Sequence, residues 1–146
     1  MAQRATESMT VGAPPEVVYA VVTDVEHYAE WVSDLKKVEV LERDAQGRPL
    51  EVEYRAAAFG RSTTYALRYD YSHAPEVLSW IQTHGDLTAS LEGKYRFEPT
   101  PEGTLVTYDL EVEFLVPIPS FIKSRAAYRI QTQALRELKA RAERQA

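Results

Sequence analysis

The chain contains no cysteine. That excludes disulfides, thiolate metal sites and cysteine nucleophiles together, and it fits a reducing compartment. Histidine is scarce, with His27, His73 and His84 the only three. None of their spacings suits a shared metal and no carboxylate completes a set, so no metal is expected. No apolar run is long enough to cross a bilayer, and the opening MAQRATESMTVGAPPE holds no apolar core of an export signal. A soluble, cytoplasmic protein without stable membrane insertion is expected. Basic residues are in deficit, 17 against 22 acidic, for a net charge of −5. Such a surface repels phosphate backbones, so no nucleic-acid partner is expected. Glycine-rich phosphate loops are missing, and Ser79 and Ser90 lack the strand–turn–helix setting of a nucleophile elbow. Hydrolase and nucleotide readings fall with them, and no cofactor is expected.

What remains is a chain of 146 residues, with 45% hydrophobic and 27% charged residues. It shows no repeat or linker and reads as a single domain over 1–146. Its aromatics are skewed to tyrosine: nine Tyr and two Trp against four Phe. A tyrosine ring is apolar with one polar handle, which suits a wall that is both greasy and able to hydrogen-bond.

Thr6 to Val11 alternates polar and apolar residues and predicts a strand. Pro14 and Pro15 then open a short amphipathic helix with Val18, Val21, Val22 and Val25 inward. Asp24 is placed to cap a second short helix, from Val25 to about Trp31. Beyond Leu35 the period becomes two, and strands are expected over 35–43, 49–59, 62–72, 76–84, 87–98 and 104–116, separated by short turns. Pro117 and Pro119 end the last strand. Ser120 is placed to cap a long helix to about Arg144, with an apolar stripe of Ile122, Ala126, Ala127, Ile130, Ala134 and Leu138. A seven-stranded antiparallel meander of this length must curl, and one long helix can lie in its concavity. The expected fold is α+β: a helix-grip with a curved seven-stranded antiparallel sheet, two short helices and a long C-terminal helix enclosing a cavity.

The stretches APPEVVYAVVTDVEHYAEWV, LEGKYRFEP, EGTLVTYDLEVEF and PIPSFIKSRAAYRIQTQALRELKAR together resemble the polyketide cyclase/dehydrase and lipid-transport family of the START, or Bet v 1-like, superfamily. The resemblance covers nearly the whole chain and implies the helix-grip fold. It also implies a hydrophobic small molecule as partner: family members include aromatic polyketide cyclases, coenzyme Q-binding proteins and plant hormone receptors.

The residues themselves supply candidate lining groups. Tyr54, Tyr69, Trp80 and Tyr108 alternate onto the face of the sheet expected to turn inward, where several hydroxyls each need a partner. Gln82 lies on the Trp80 side of its strand and could orient a ligand carbonyl; an edge position is the alternative. Tyr28 and Trp31, three apart, share a helical face and suit a lid over the cavity, or a plain hydrophobic plug. Catalysis by His27 is the third reading of that stretch. Tyr128 of the closing helix completes the set of expected cavity residues. No catalytic residue is assigned and the oligomeric state is left open. The leading expectation is binding of a lipid, quinone or polyketide-like ligand. The alternatives are a cyclase/dehydratase closing a poly-β-ketone by aldol chemistry, and a protein-interaction module.

Overall fold

The computed structural model describes residues 3–58, 61–115 and 117–145. Seven strands, β1 (Gln3–Val11), β2 (Leu35–Arg43), β3 (Pro49–Ala58), β4 (Arg61–Asp70), β5 (Val77–Gly85), β6 (Thr88–Thr100) and β7 (Gly103–Phe114), form one sheet in the order β1-β7-β6-β5-β4-β3-β2. Every neighbouring pair is antiparallel. Register shifts within β2, β4 and β6 mark irregular pairing, the local bends by which a long sheet curls. Helix α1 (Pro15–Thr23) and a 3₁₀ segment (Val25–Glu30) follow β1, and helix α2 (Ser120–Gln145) closes the chain. The helix-grip architecture is therefore present.

Local chemistry explains the boundaries. Pro14 and Pro15 set the entry of α1, which buries Val18, Val21 and Val22. The Asp24 backbone N–H ends it by bonding the carbonyls of Ala20 and Val21. The expected side-chain cap by Asp24 does not form. Its carboxylate instead meets His27 Nδ1 at 2.8 Å, and the following turn tightens to 3₁₀. Ser120 likewise lies inside α2, and the Pro119 carbonyl accepts from Ile122 and Lys123. β1 starts before Thr6, because β7 offers it a continuous ladder from Val112 to Thr104. β4 stops at Asp70, whose carboxylate accepts the Ser72 N–H at 2.8 Å and turns the chain. The expected ends of β3 at 59 and of β7 at 116 fall outside the described residues.

Two glycines are required by contact. Gly103 has φ +141°, and a Cβ there would stand 2.2 Å from the Val11 carbonyl oxygen. The β6–β7 turn can tuck against the end of β1 only without a side chain. A Cβ on Gly93 would meet the Trp80 ring at 2.7 Å, so the indole lies over that glycine.

The stripe of α2 differs from the one expected. The buried residues are Ala127, Gln131, Leu135, Leu138 and Ala142, while Ile122 and Ile130 are 37% and 40% exposed. The reason is Gln131, a polar residue at the centre of the buried face. Its Nε2 donates to the carbonyls of Ala5 and Tyr108, both at 2.9 Å, and so fastens α2 across β1 and β7. On its other side α2 is tied to the segment before β2: Gln133 Nε2 donates to Ser33 Oγ at 2.9 Å, and Arg141 pairs with Glu30 at 2.9 Å. The helix thus bridges the two ends of the curled sheet.

Candidate functional site

The ladders dictate which side chains meet on the inner face. Tyr54 lies opposite Tyr65, Tyr69 opposite Trp80, Trp80 opposite Gly93, and Tyr95 opposite Tyr108. With side chains alternating along each strand, these positions form one aromatic wall. Its rings touch in sequence: Tyr28–Tyr54 at 6.1 Å, Tyr54–Tyr65 at 5.5 Å, Tyr69–Trp80 at 6.1 Å, Trp80–Tyr95 at 5.2 Å and Tyr95–Tyr108 at 4.7 Å between centroids. At the end of the wall near the β2–β3 turn, the Arg48 guanidinium lies 4.4 Å from the Tyr71 ring centroid, and the Tyr71 hydroxyl donates to the Pro49 carbonyl at 2.5 Å.

The hydroxyls divide into two groups. Tyr54 and Tyr69 bond each other at 2.5 Å, and Tyr28 donates to the Val22 carbonyl. The hydroxyls of Tyr65, Tyr95 and Tyr108, in contrast, have no hydrogen-bond partner among the described residues, and they are not sealed from contact. Burial raises the pKa of all these phenols: to about 12 for Tyr65, and well above the ordinary value of 10 for Tyr28, Tyr54, Tyr69 and Tyr108. Tyr95 is raised by the same cause. At neutral pH they are therefore fixed donors, not bases. The neutral phenols favour the fold below the unfolded pKa near 10, and that contribution is lost as pH rises through the folded values. A spectrophotometric alkaline titration should show these rings ionising only above pH 10, together with unfolding; independent ionisation near 10 would show them to be solvated.

The expected site residues are distributed as follows. Tyr54, Tyr69, Trp80 and Tyr108 share the inner wall and are buried. Tyr28 and Trp31 stand edge to face at 5.2 Å, half-buried, with Tyr28 stacked on Tyr54, so the 3₁₀ segment covers that end of the wall. Gln82 is committed to its own hairpin: its Nε2 donates to the Thr88 carbonyl at 2.9 Å, and its Oε1 accepts from the Thr88 hydroxyl. Tyr128 is 56% exposed and lies outside the wall, because the first part of α2 leaves the sheet and buries only Ala127 before Gln131. His27 is an exposed partner of Asp24, whose hydrogen bond raises its pKa. It stays at the surface, away from the tyrosines.

Three residues of the wall were absent from the expected set. Tyr65 and Tyr95 carried the signal, since both alternate inward with Tyr54 and Tyr108. Glu7 was not singled out, although it alternates in step with Met9 and Val11. The structure puts it on the less exposed face of β1, opposite Tyr108. The inward strand positions described hold no Lys or Arg. An open groove of about 990 Å³ runs across β1, β7, β6, β5 and β4, lined by charged groups such as Arg4, Glu92, Lys94 and Glu111 and bordered by Tyr69, Trp80 and Gly93 of the wall.

Over residues 11–139 the chain matches the family described as polyketide cyclase / dehydrase and lipid transport. Among solved structures, a START superfamily protein from Mycobacterium smegmatis is similar at 24% identity, with a TM-score of 0.92 over 98% of this chain and 99% of that one. The Zhui aromatase/cyclase from Streptomyces sp. R1128 is similar at 19% identity, TM-score 0.84, over 99% and 95%. Ginseng major latex-like protein 151 from Panax ginseng is similar at 12% identity, TM-score 0.75, over 97% of each chain. No curated protein matches. No helix among the described residues is long and apolar enough to cross a membrane.

Proposed function

The chain belongs to the polyketide cyclase / dehydrase and lipid transport family, and from that premise we propose that its interior binds a neutral hydrophobic or aromatic molecule bearing carbonyl or hydroxyl oxygens. The observation that carries this reading is the set of three inward phenols, Tyr65, Tyr95 and Tyr108, with no hydrogen-bond partner among the described residues. Each is an open donor that no protein group uses, so a ligand oxygen can accept from it. Aromatic rings on either side supply the apolar contact, and among the described strand positions no cation points inward, Arg48 standing only at the end of the wall over Tyr71. Trp31 and Tyr28 serve as the cover that such a ligand must part on entry.

The test is titration with an aromatic ketone whose fluorescence rises on leaving water. Saturable binding of one probe per chain is expected. Tyr95→Phe with Tyr108→Phe should weaken it roughly 5- to 100-fold, the worth of two hydrogen bonds. Non-saturable binding, or an affinity unchanged in the double variant, would sink the proposal.

A second reading, closure of a poly-β-ketone chain, is favoured by Glu7 opposite Tyr108. In this reading the Glu7 carboxylate takes a proton from a methylene between two carbonyls. The resulting enolate carbon attacks a distant carbonyl, and the phenols of Tyr95 and Tyr108 donate to the alkoxide that forms. Glu7→Gln separates the two readings: it would abolish turnover of a poly-β-ketone yet leave ketone binding intact.

A further inference from the structure

The first half of α2 carries a surface used by neither the sheet nor the aromatic wall. Between Glu113 and Glu137 the sequence contains no Asp or Glu, but it contains Lys123, Arg125, Arg129 and Arg136. Positive charge is thus segregated there in a chain of net charge −5. None of these four cations has a carboxylate partner among the described residues, whereas Lys139 and Arg141 further along the helix pair with Glu143 and Glu30. No acidic residue occupies the first turn of α2, so the cations near that end face the positive end of the helix dipole uncompensated. An arrangement unfavourable within the chain fits an anionic partner outside it.

Apolar side chains stand among these cations. Phe121 is 69% exposed, and Leu115, Tyr128 and Ile122 are also exposed. At helical spacing, Phe121, Arg125 and Tyr128 share one strip, and Ile122, Arg125 and Arg129 the next. The second strip lies away from the face that buries Ala127, Gln131 and Leu135, while the first borders it and is exposed because that part of the helix stands clear of the sheet. Large exposed rings interleaved with arginines, without carboxylates, are the composition of a helix face that lies in a lipid headgroup layer.

We propose that this face docks the protein peripherally on an anionic lipid bilayer, Phe121 entering the headgroup–acyl boundary and Lys123, Arg125 and Arg129 meeting lipid phosphates. A second copy of the chain is a poorer occupant, because a two-fold contact through this patch would bring like charges together. The surface is distinct from the aromatic wall, so docking and interior binding stand or fall separately.

The experiment is co-sedimentation of the full chain, without probe, with vesicles of phosphatidylcholine alone or mixed with phosphatidylglycerol. Binding only to the mixed vesicles is expected, weakening as salt screens the charges. Arg125→Glu with Arg129→Glu should reduce it about tenfold or more, and Phe121→Ala should reduce it independently. All these positions are exposed, so circular dichroism and the unfolding midpoint should not change. Absence of vesicle binding, equal binding to both vesicles, or binding unaltered in the charge-reversal variant would each overturn the proposal. So would self-association of the free protein that Phe121→Ala abolishes, which would assign the face to a second copy. Ketone binding should persist in both variants; its loss there would tie the helix face to the interior and overturn their separation.

Discussion

Trp80→Ala is expected to destabilise the protein by about 3–5 kcal/mol, the range for removing a buried aromatic from a core that relaxes only in part. The indole is buried at the centre of the wall. It contacts Tyr69, Tyr95 and Tyr108 at centroid distances of 6.1, 5.2 and 5.8 Å and lies over Gly93. Three strands, β4, β6 and β7, therefore lose a shared neighbour at once. Urea unfolding followed by far-UV circular dichroism reads the loss as a lower midpoint. Gly93→Ala should destabilise through the same contact from the other side, because the added methyl cannot coexist with the ring in place. Combined with Trp80→Ala it should do less harm than alone, the signature of two residues sharing one space. Additive losses would mean that the indole does not rest on Gly93.

The same residues show what could be read from sequence. The strands were legible because the period of two is a property of the chain itself. Once Tyr108 is inward, Val106, Leu110 and Val112 must be inward too, and they are buried. Tyr54, Tyr69 and Trp80 followed from the same rule. What failed depended on partners far away in the chain. Gln82 looked available until Thr88 took both ends of its amide. Glu7 had no role until the register of β1 against β7 set it opposite Tyr108. Asp24 looked like a cap until His27 claimed its carboxylate.

The hardest element was α2, where residue type misled. Ile122 and Ile130 were assigned inward on hydrophobicity, and Gln131 was left out of the stripe. A glutamine can nevertheless occupy the centre of a buried face if its amide finds acceptors, and the carbonyls of Ala5 and Tyr108 provide them. A glutamine one position beyond Ile130 thus turns the helix by one residue, or about 100°. Tyr128 is exposed for another reason: it lies on the Gln131 side of the helix, but in the first part of α2, which buries only Ala127 before Gln131.

The rotation has a measurable consequence. Leu138→Ala should cost about 2–5 kcal/mol, as for other large-to-small changes at fully buried sites, because Leu138 is 0% exposed on the face that meets the sheet. Ile130→Ala, at a position 40% exposed, should cost about 1 kcal/mol or less. The comparison is made by chemical denaturation of both variants, with equal m-values required so that the midpoints report stability. Gln131→Leu separates the two roles of the amide. It removes the bonds to Ala5 and Tyr108, and it also removes the buried Oε1, which has no partner among the described residues. Replacing a half-satisfied polar group by an apolar one of similar size loses less than leaving one partner stranded, so its cost should fall below that of Leu138→Ala. If Ile130→Ala were instead the costly change and Leu138→Ala the mild one, α2 would sit turned about its axis. Ile130 would then take the centre of the buried face from Gln131, whose bonds to Ala5 and Tyr108 could not hold α2 in place.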